Sequence, residues 1–154
     1  MGPASTSGAS MINGPLLHPQ LLHALAAAGH GARVLVADAL YPHSTAAPAN
    51  ATRVYLNLCE GMVPALAVMD AVAQSIAVEE ITFMATAEGE ASDSVTECQR
   101  HLADHRHAGG SEITWSSLDR WAFYAACREP DVCLVVATGE RRPYTNFLLT
   151  IGVP

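Results

Sequence analysis

The sequence predicts an α/β fold: a single three-layer domain in which helices flank both faces of a mostly parallel sheet. Strand-like apolar runs alternate with helix-like spacings along most of the chain. Glycine and proline mark the joints between them. A length of 154 residues supplies one complete core and falls short of two ordinary domains.

The opening "MGPASTSGASMINGP" is rich in Gly, Ser, Ala and Pro without periodicity, so residues 1–14 read as a disordered extension or tag, with Met11 a candidate natural start. The domain is expected over 15–154. In "HPQLLHALAAAGHG", Pro19 suits the first position of a helix, Leu17, Leu21 and Leu25 recur every four residues, and Gly29 and Gly31 stop it. The strand "RVLVAD" follows, then a proline-rich loop from Leu40 to Ala51, then "RVYLNL", which periodicity leaves ambiguous. A second helix is expected from Val63 to Gln74, with Pro64 near its start. "EEITFMATAEGE" reads as a strand entering a glycine turn. Val95, Cys98 and Leu102 have helical spacing, which "HAGG" ends before the short strand "EITWS". Ser117 is placed to cap a helix "LDRWAFYAACRE" that Pro130 closes. The tail "DVCLVVATGERRPYTNFLLTIGV" gives two β-rich runs around a polar turn, and these last strands are the ones free to break the parallel order.

A net charge of −7 with eight basic residues, only Arg141 and Arg142 adjacent, provides no cationic stripe for phosphates, so no nucleic-acid partner is expected. No apolar run approaches the roughly 20 residues that cross a bilayer, and the start lacks a signal-peptide pattern, so no membrane association and a cytoplasmic location are expected. Only 15% of residues are charged while 50% are apolar, which suggests that some apolar surface meets another subunit. Cys59, Cys98, Cys127 and Cys133 form no C-x-x-C pair and are read as packing thiols in a reducing compartment.

The candidate chemistry lies in polar residues at the ends of elements. Asp38 sits at the carboxyl end of a strand, where α/β proteins gather ligands, although a lone Asp there also serves as a loop or cap residue. His30, between two glycines, suits proton transfer near neutral pH, or else is a histidine favoured by a helix C-terminus. Tyr144 and Asn146, two apart on an extended segment, would point the same way and bond a sugar's hydroxyls, or form the polar face of an edge strand. Arg120 and Tyr124 share a helical face and either converge on one ligand or form a solvated pair. His101 and His105 share a face too, but no third metal ligand is evident, and that helix reads as a solvent face. His30, Asp38 and Ser44 lack the G-x-S-x-G elbow of a hydrolase triad. No nucleotide-cofactor loop occurs, so neither cofactor nor metal is expected.

In order and spacing, "GHG" before a strand ending in Asp, "FMATAEGE", "RWAFYAA", "ATGERRPYTN" and a closing "LLTIGV" resemble the RbsD/FucU family of sugar-ring isomerases, D-ribose pyranase and L-fucose mutarotase. The likeness runs from Leu16 to Val153. Arg120 before "WAFY" resembles the fucose branch's Arg-Phe-Ala-Phe-Tyr, where ribose pyranases tend to carry histidine. "GER" before Tyr-x-Asn resembles that branch as well. Ala32 after the Gly-His-Gly, "CEG" after Arg53 and Ala125 depart from the family pattern.

The resemblance implies an RbsD-like fold, assembly into homo-oligomeric rings, often decamers, and a pocket near subunit contacts. It implies a cofactor-independent mutarotase acting on L-fucose or a related monosaccharide. His30 would be the proton donor, with Tyr124 a second acid or base, and Asp38, Met84, Arg120, Tyr144 and Asn146 would bind the sugar. His30 and Asp38 are expected to flank one sugar from the two ends of their strand. The alternatives are a D-ribose pyranase exchanging pyranose and furanose forms, and a non-catalytic sugar-binding accessory protein.

Overall fold

The computed structural model describes residues 11–104 and 112–154. Residues 1–10 of the expected extension, His105 and the "HAGG" stop lie outside the described residues. Within them the elements run α1 (Pro19–Ala27), β1 (Arg33–Ala37), β2 (Thr52–Tyr55), α2 (Ala65–Ala73), β3 (Val78–Met84), α3 (Asp93–Asp104), β4 (Thr114–Leu118), α4 (Arg120–Cys127), β5 (Val132–Ala137) and β6 (Phe147–Ile151).

The six strands lie in the order β2-β5-β1-β6-β3-β4. β2 with β5, β5 with β1 and β3 with β4 pair in parallel, while β6 runs antiparallel between β1 and β3. The sheet is thus mostly parallel, and β6 alone among the described strands breaks the order.

Side chains alternate across the pleat, so β1 feeds two cores at once. Val34 and Val36 join Leu21 and Leu25 of α1, Val68 and Val72 of α2, and Val95 and Cys98 of α3 on one face. Leu35 and Ala37 join Tyr41 and Ala46 of the 40–51 loop and Phe123 and Cys127 of α4 on the other. These two clusters make the outer layers, three helices against one helix and a packed loop. No helix among the described residues is long and apolar enough to cross a membrane.

The helix ends follow local chemistry. Pro19 opens α1, where its missing N–H costs nothing, and the His18 ring accepts from Leu21 N–H. The helix stops at Ala27, ahead of both glycines. Leu17 therefore precedes the helix and is exposed, while Leu21 and Leu25 are buried. At α4, β4 runs on through Ser117 to Leu118, and Asp119 is the cap instead, its Oδ1 accepting from Ala122 N–H at 2.9 Å. Four residues of β2 pairing with β5 resolve the ambiguous "RVYLNL" as a strand. The cysteines divide: Cys98 and Cys127 are buried, with burial pushing their thiols up to about 12 and about 11, whereas Cys59 is exposed and has no packing role.

Candidate active site at the carboxyl edge of the sheet

The parallel strands end on one edge of the sheet, and a cavity of about 200 Å³ opens there. Asp38, Leu40 and Tyr41 reach it from the end of β1, Met84 from the end of β3, Arg120 and Tyr124 from the first turns of α4, and Pro143, Tyr144 and Asn146 from the loop after β5. Six residues singled out in the sequence, from four separate segments, therefore line one hollow.

Asp38 organises it. Although 2% exposed, its Oδ1 accepts from Leu40 N–H and its Oδ2 from Thr145 N–H, each at 3.0 Å, and its own N–H donates to Asn146 Oδ1 at 2.9 Å. One carboxylate so ties the loop after β1 to the loop before β6. Burial pushes its pKa up, against the opposing pull of N–H bonds from Thr145, Leu40 and Tyr41 and of Asn146. The carboxylate, which when ionised can only accept, is the cavity's anionic group and faces any ligand hydroxyl bound there.

Tyr144 and Asn146 reach the cavity by a different backbone from the one expected. Tyr144 has φ 54°, so the segment is left-handed there and not extended. Ser92 Oγ, ahead of α3, donates to Tyr144 O at 2.9 Å, and Thr145 Oγ1 bonds Arg142 O and Ser94 Oγ. Asn146 Oδ1 being committed to Asp38, its Nδ2 faces Met84 Sδ at 3.8 Å and has donor capacity to spare.

On α4, Arg120 Nε donates to Tyr124 Oη at 3.2 Å, and the guanidinium lies 5.5 Å from the Tyr124 ring and 5.0 Å from the Trp121 ring. The phenol oxygen, already accepting from Arg120, keeps its own proton free to donate. The base of the cavity is aromatic, Tyr41 meeting Tyr124 edge-on with centroids 5.4 Å apart.

His30 is elsewhere. It precedes β1 while Asp38 follows it, and five strand residues separate those ends by roughly 16 Å. A monosaccharide is far smaller, so within one chain the expectation that the two residues flank one sugar fails: a strand keeps its two ends at opposite edges of the sheet. His30 is exposed and pairs with Glu79, Nε2 to Oε2 at 3.3 Å. His101 pairs with Asp70 of α2 at 2.9 Å, so that side of α3 meets a helix and not open solvent.

Sequence reasoning missed the residues that hold the site. His43 Nε2 lies 2.9 Å from Asp38 O, and since a carbonyl only accepts, that nitrogen carries the proton. Arg53 donates to the carbonyls of His43, Ala47, Pro48 and Ala51, pinning the 40–51 loop. Glu140, 4% exposed, accepts from the backbone, Nε and Nη2 of Arg142 and from Ala65 N–H, while Arg142 Nη1 reaches Glu97 at 2.9 Å. Arg53 and "GER" were visible as residues, but their partners are backbone atoms or distant in sequence.

Comparison with known proteins finds relatives along nearly the whole chain. A D-ribose pyranase from Chloroflexus aggregans is 31% identical over 138 residues, spanning 90% of this chain and 95% of that protein. The structure of Bacillus subtilis RbsD complexed with D-ribose superposes with a TM-score of 0.75 at 25% identity, covering 94% of this chain and 99% of that one. The fucose mutarotase in complex with L-fucose from Streptococcus pneumoniae superposes with a TM-score of 0.71 at 27% identity, covering 89% and 94%. The sequence model of the RbsD / FucU transport protein family matches residues 11–154. That match spans every described residue, and the fold superposes on solved members of the same family, so the chain belongs to the RbsD/FucU family.

Proposed function

We propose that the protein is a cofactor-independent mutarotase that interconverts the anomers of L-fucose or a closely related monosaccharide. The observation that carries this reading is the cavity itself: an acceptor from Asp38, donors from Arg120, Asn146 and the Tyr124 and Tyr144 hydroxyls, and an apolar patch from Met84 and Leu40, around a space for one small polyol. The Arg120–Tyr124 pair favours the fucose branch. A ribose pyranase is the second reading, favoured by the 31% identity to the Chloroflexus aggregans D-ribose pyranase.

Ring opening needs the ring oxygen to gain a proton as its bond to the anomeric carbon breaks, and the anomeric hydroxyl to lose one. Tyr124 suits the second transfer, because its oxygen has a lone pair left to accept while its own O–H passes a proton to water. Asp38, Arg120, Tyr144 and Asn146 hold the other hydroxyls. His30 supplies the first proton, and since its own chain holds it at the far edge of the sheet, it serves the cavity of a second copy.

Such a contact joins the amino edge of one chain to the carboxyl edge of the next. Head-to-tail contacts of that kind close into rings when the rotation permits. Leu40, Tyr55, Leu58, Met62 and Trp121, all exposed, follow or end strands, or start α4, on the carboxyl side, where a neighbour would cover them.

Saturation-transfer NMR tests the reading. Anomer exchange should be accelerated for L-fucose above D-ribose, and His30→Ala should lower the acceleration by about 10²–10⁴-fold with the fold intact by circular dichroism. Faster exchange of pyranose and furanose ribose would support the pyranase instead, and sugar binding without acceleration would leave an accessory protein.

A further inference from the structure

We propose that Glu79 is a positioning residue that holds the proton of His30 on Nε2 and so makes Nδ1 the atom that exchanges a proton with the sugar; this rests on His30 being the acid of the proposed reaction. The antiparallel β6 makes the pairing. Its last residues lie between the amino ends of β1 and β3, so segments 49 residues apart in sequence meet there. Gly31 N–H donates to Ile151 O at 2.9 Å and Gly152 N–H to Ala77 O at 3.0 Å, fastening the Gly-His-Gly turn and the start of β3 to the same strand end. The β3–β6 register shifts between Val78 and Glu80, which frees Glu79 from the regular ladder. Gly152 gives it room: a Cβ there would stand 3.0 Å from Glu79 Cβ and 3.4 Å from Oε2.

The carboxylate oxygen at 3.3 Å accepts from Nε2–H. The imidazolium then has one proton left to give, on Nδ1. On ring opening Nδ1–H passes its proton to the ring oxygen as the bond from that oxygen to the anomeric carbon breaks, and the bonding pair stays on oxygen. The neutral imidazole that results keeps its Nε2 proton against Glu79 and offers the Nδ1 lone pair, which takes the proton back when the ring closes on the other face. Without an acceptor at Nε2 the ring is free to rotate and to exchange tautomers, so only part of the population is competent.

The test uses the full chain with ¹⁵N-labelled histidine. Two-bond ¹⁵N–¹H spectra should show neutral His30 as the Nε2–H tautomer, and Glu79→Gln, whose amide both donates and accepts, should return a mixture. In saturation transfer with L-fucose and D-ribose, Glu79→Gln should lower kcat about 10-fold with KM unchanged, and Gly152→Ala, which displaces Glu79 without removing its charge, should do the same. Neither change should cost anything further in a His30→Ala background. A wild-type spectrum with the proton on Nδ1, or Glu79→Gln with wild-type kcat beside an inactive His30→Ala, overturns the role of Glu79 alone. A fully active His30→Ala overturns the acid assignment and this inference with it.

Discussion

Asp38 combines two duties that usually conflict. It faces the cavity as an acceptor, and it also caps two backbone N–H groups that belong to different loops. Asp38→Asn would set an amide nitrogen against one of those donors, and a buried N–H without an acceptor costs about 1–3 kcal/mol. Thermal melts at neutral pH should show a loss of that size, accompanied by weaker sugar binding in the same variant. A substitution in the outer lining, such as Tyr144→Phe, should weaken binding with no comparable loss of stability. At this scale the sequence was informative about which residues come together, because Asp38, Met84, Arg120, Tyr124, Tyr144 and Asn146 do line one cavity. It was silent on how Asp38 is used, since both of its ties run to main-chain N–H groups that every residue but proline carries.

The loop from Gly139 to Asn146 is the element that delivers Tyr144 and Asn146 to the cavity, and Glu140 and Arg142 fix its shape. Burial pushes the Glu140 carboxyl up, but the side-chain and backbone hydrogen bonds and the charge of Arg142, together with Ala65 N–H, outweigh it and leave the group below the usual 4.5. A carboxyl depressed in the folded state contributes stability that is present above its unfolded value and lost as pH falls through its folded value. Glu140→Gln should therefore be less stable than the wild type at neutral pH, and the difference in denaturation midpoint should shrink as pH is lowered from about 4.5. Gly139 admits no side chain, because a Cβ there would stand 1.9 Å from Met62 O. The sequence marked this segment as a polar turn between two strands, which it is, yet the left-handed Tyr144 was not legible, since a tyrosine carries no preference for that conformation. Ser117 shows the same limit from the other side: it is as good a cap by residue type as Asp119, and pairing of Ser117 with Phe83 in the sheet decides between them.

At the scale of the molecule, layers and parallel order were readable from alternating elements, whereas the seat of β6 was not, because strand neighbours are chosen by non-local pairing. The same gap hid the separation of His30 from the pocket: proximity along one strand says nothing about which copy of the chain a side chain serves. Subunit complementation examines the proposed sharing. His30→Ala keeps an intact cavity and Arg120→Ala keeps an intact histidine, and each alone should be nearly inactive. Co-expressed in equal amounts, they should recover about a quarter of wild-type activity, the chance that an intact cavity meets an intact histidine across a head-to-tail contact. Recovery near zero would place both groups in one subunit.

β6 has a second consequence. Its first residue adjoins Asn146 and its last adjoins the turn that carries His30, so these five residues act as a tie-rod between opposite rims of the subunit. In a closed ring each rod would end in two different reaction chambers. A one-residue slip of Phe147–Ile151 would then loosen the sugar grip on one side and misaim the imidazole on the other, so a single faulty subunit would silence two chambers.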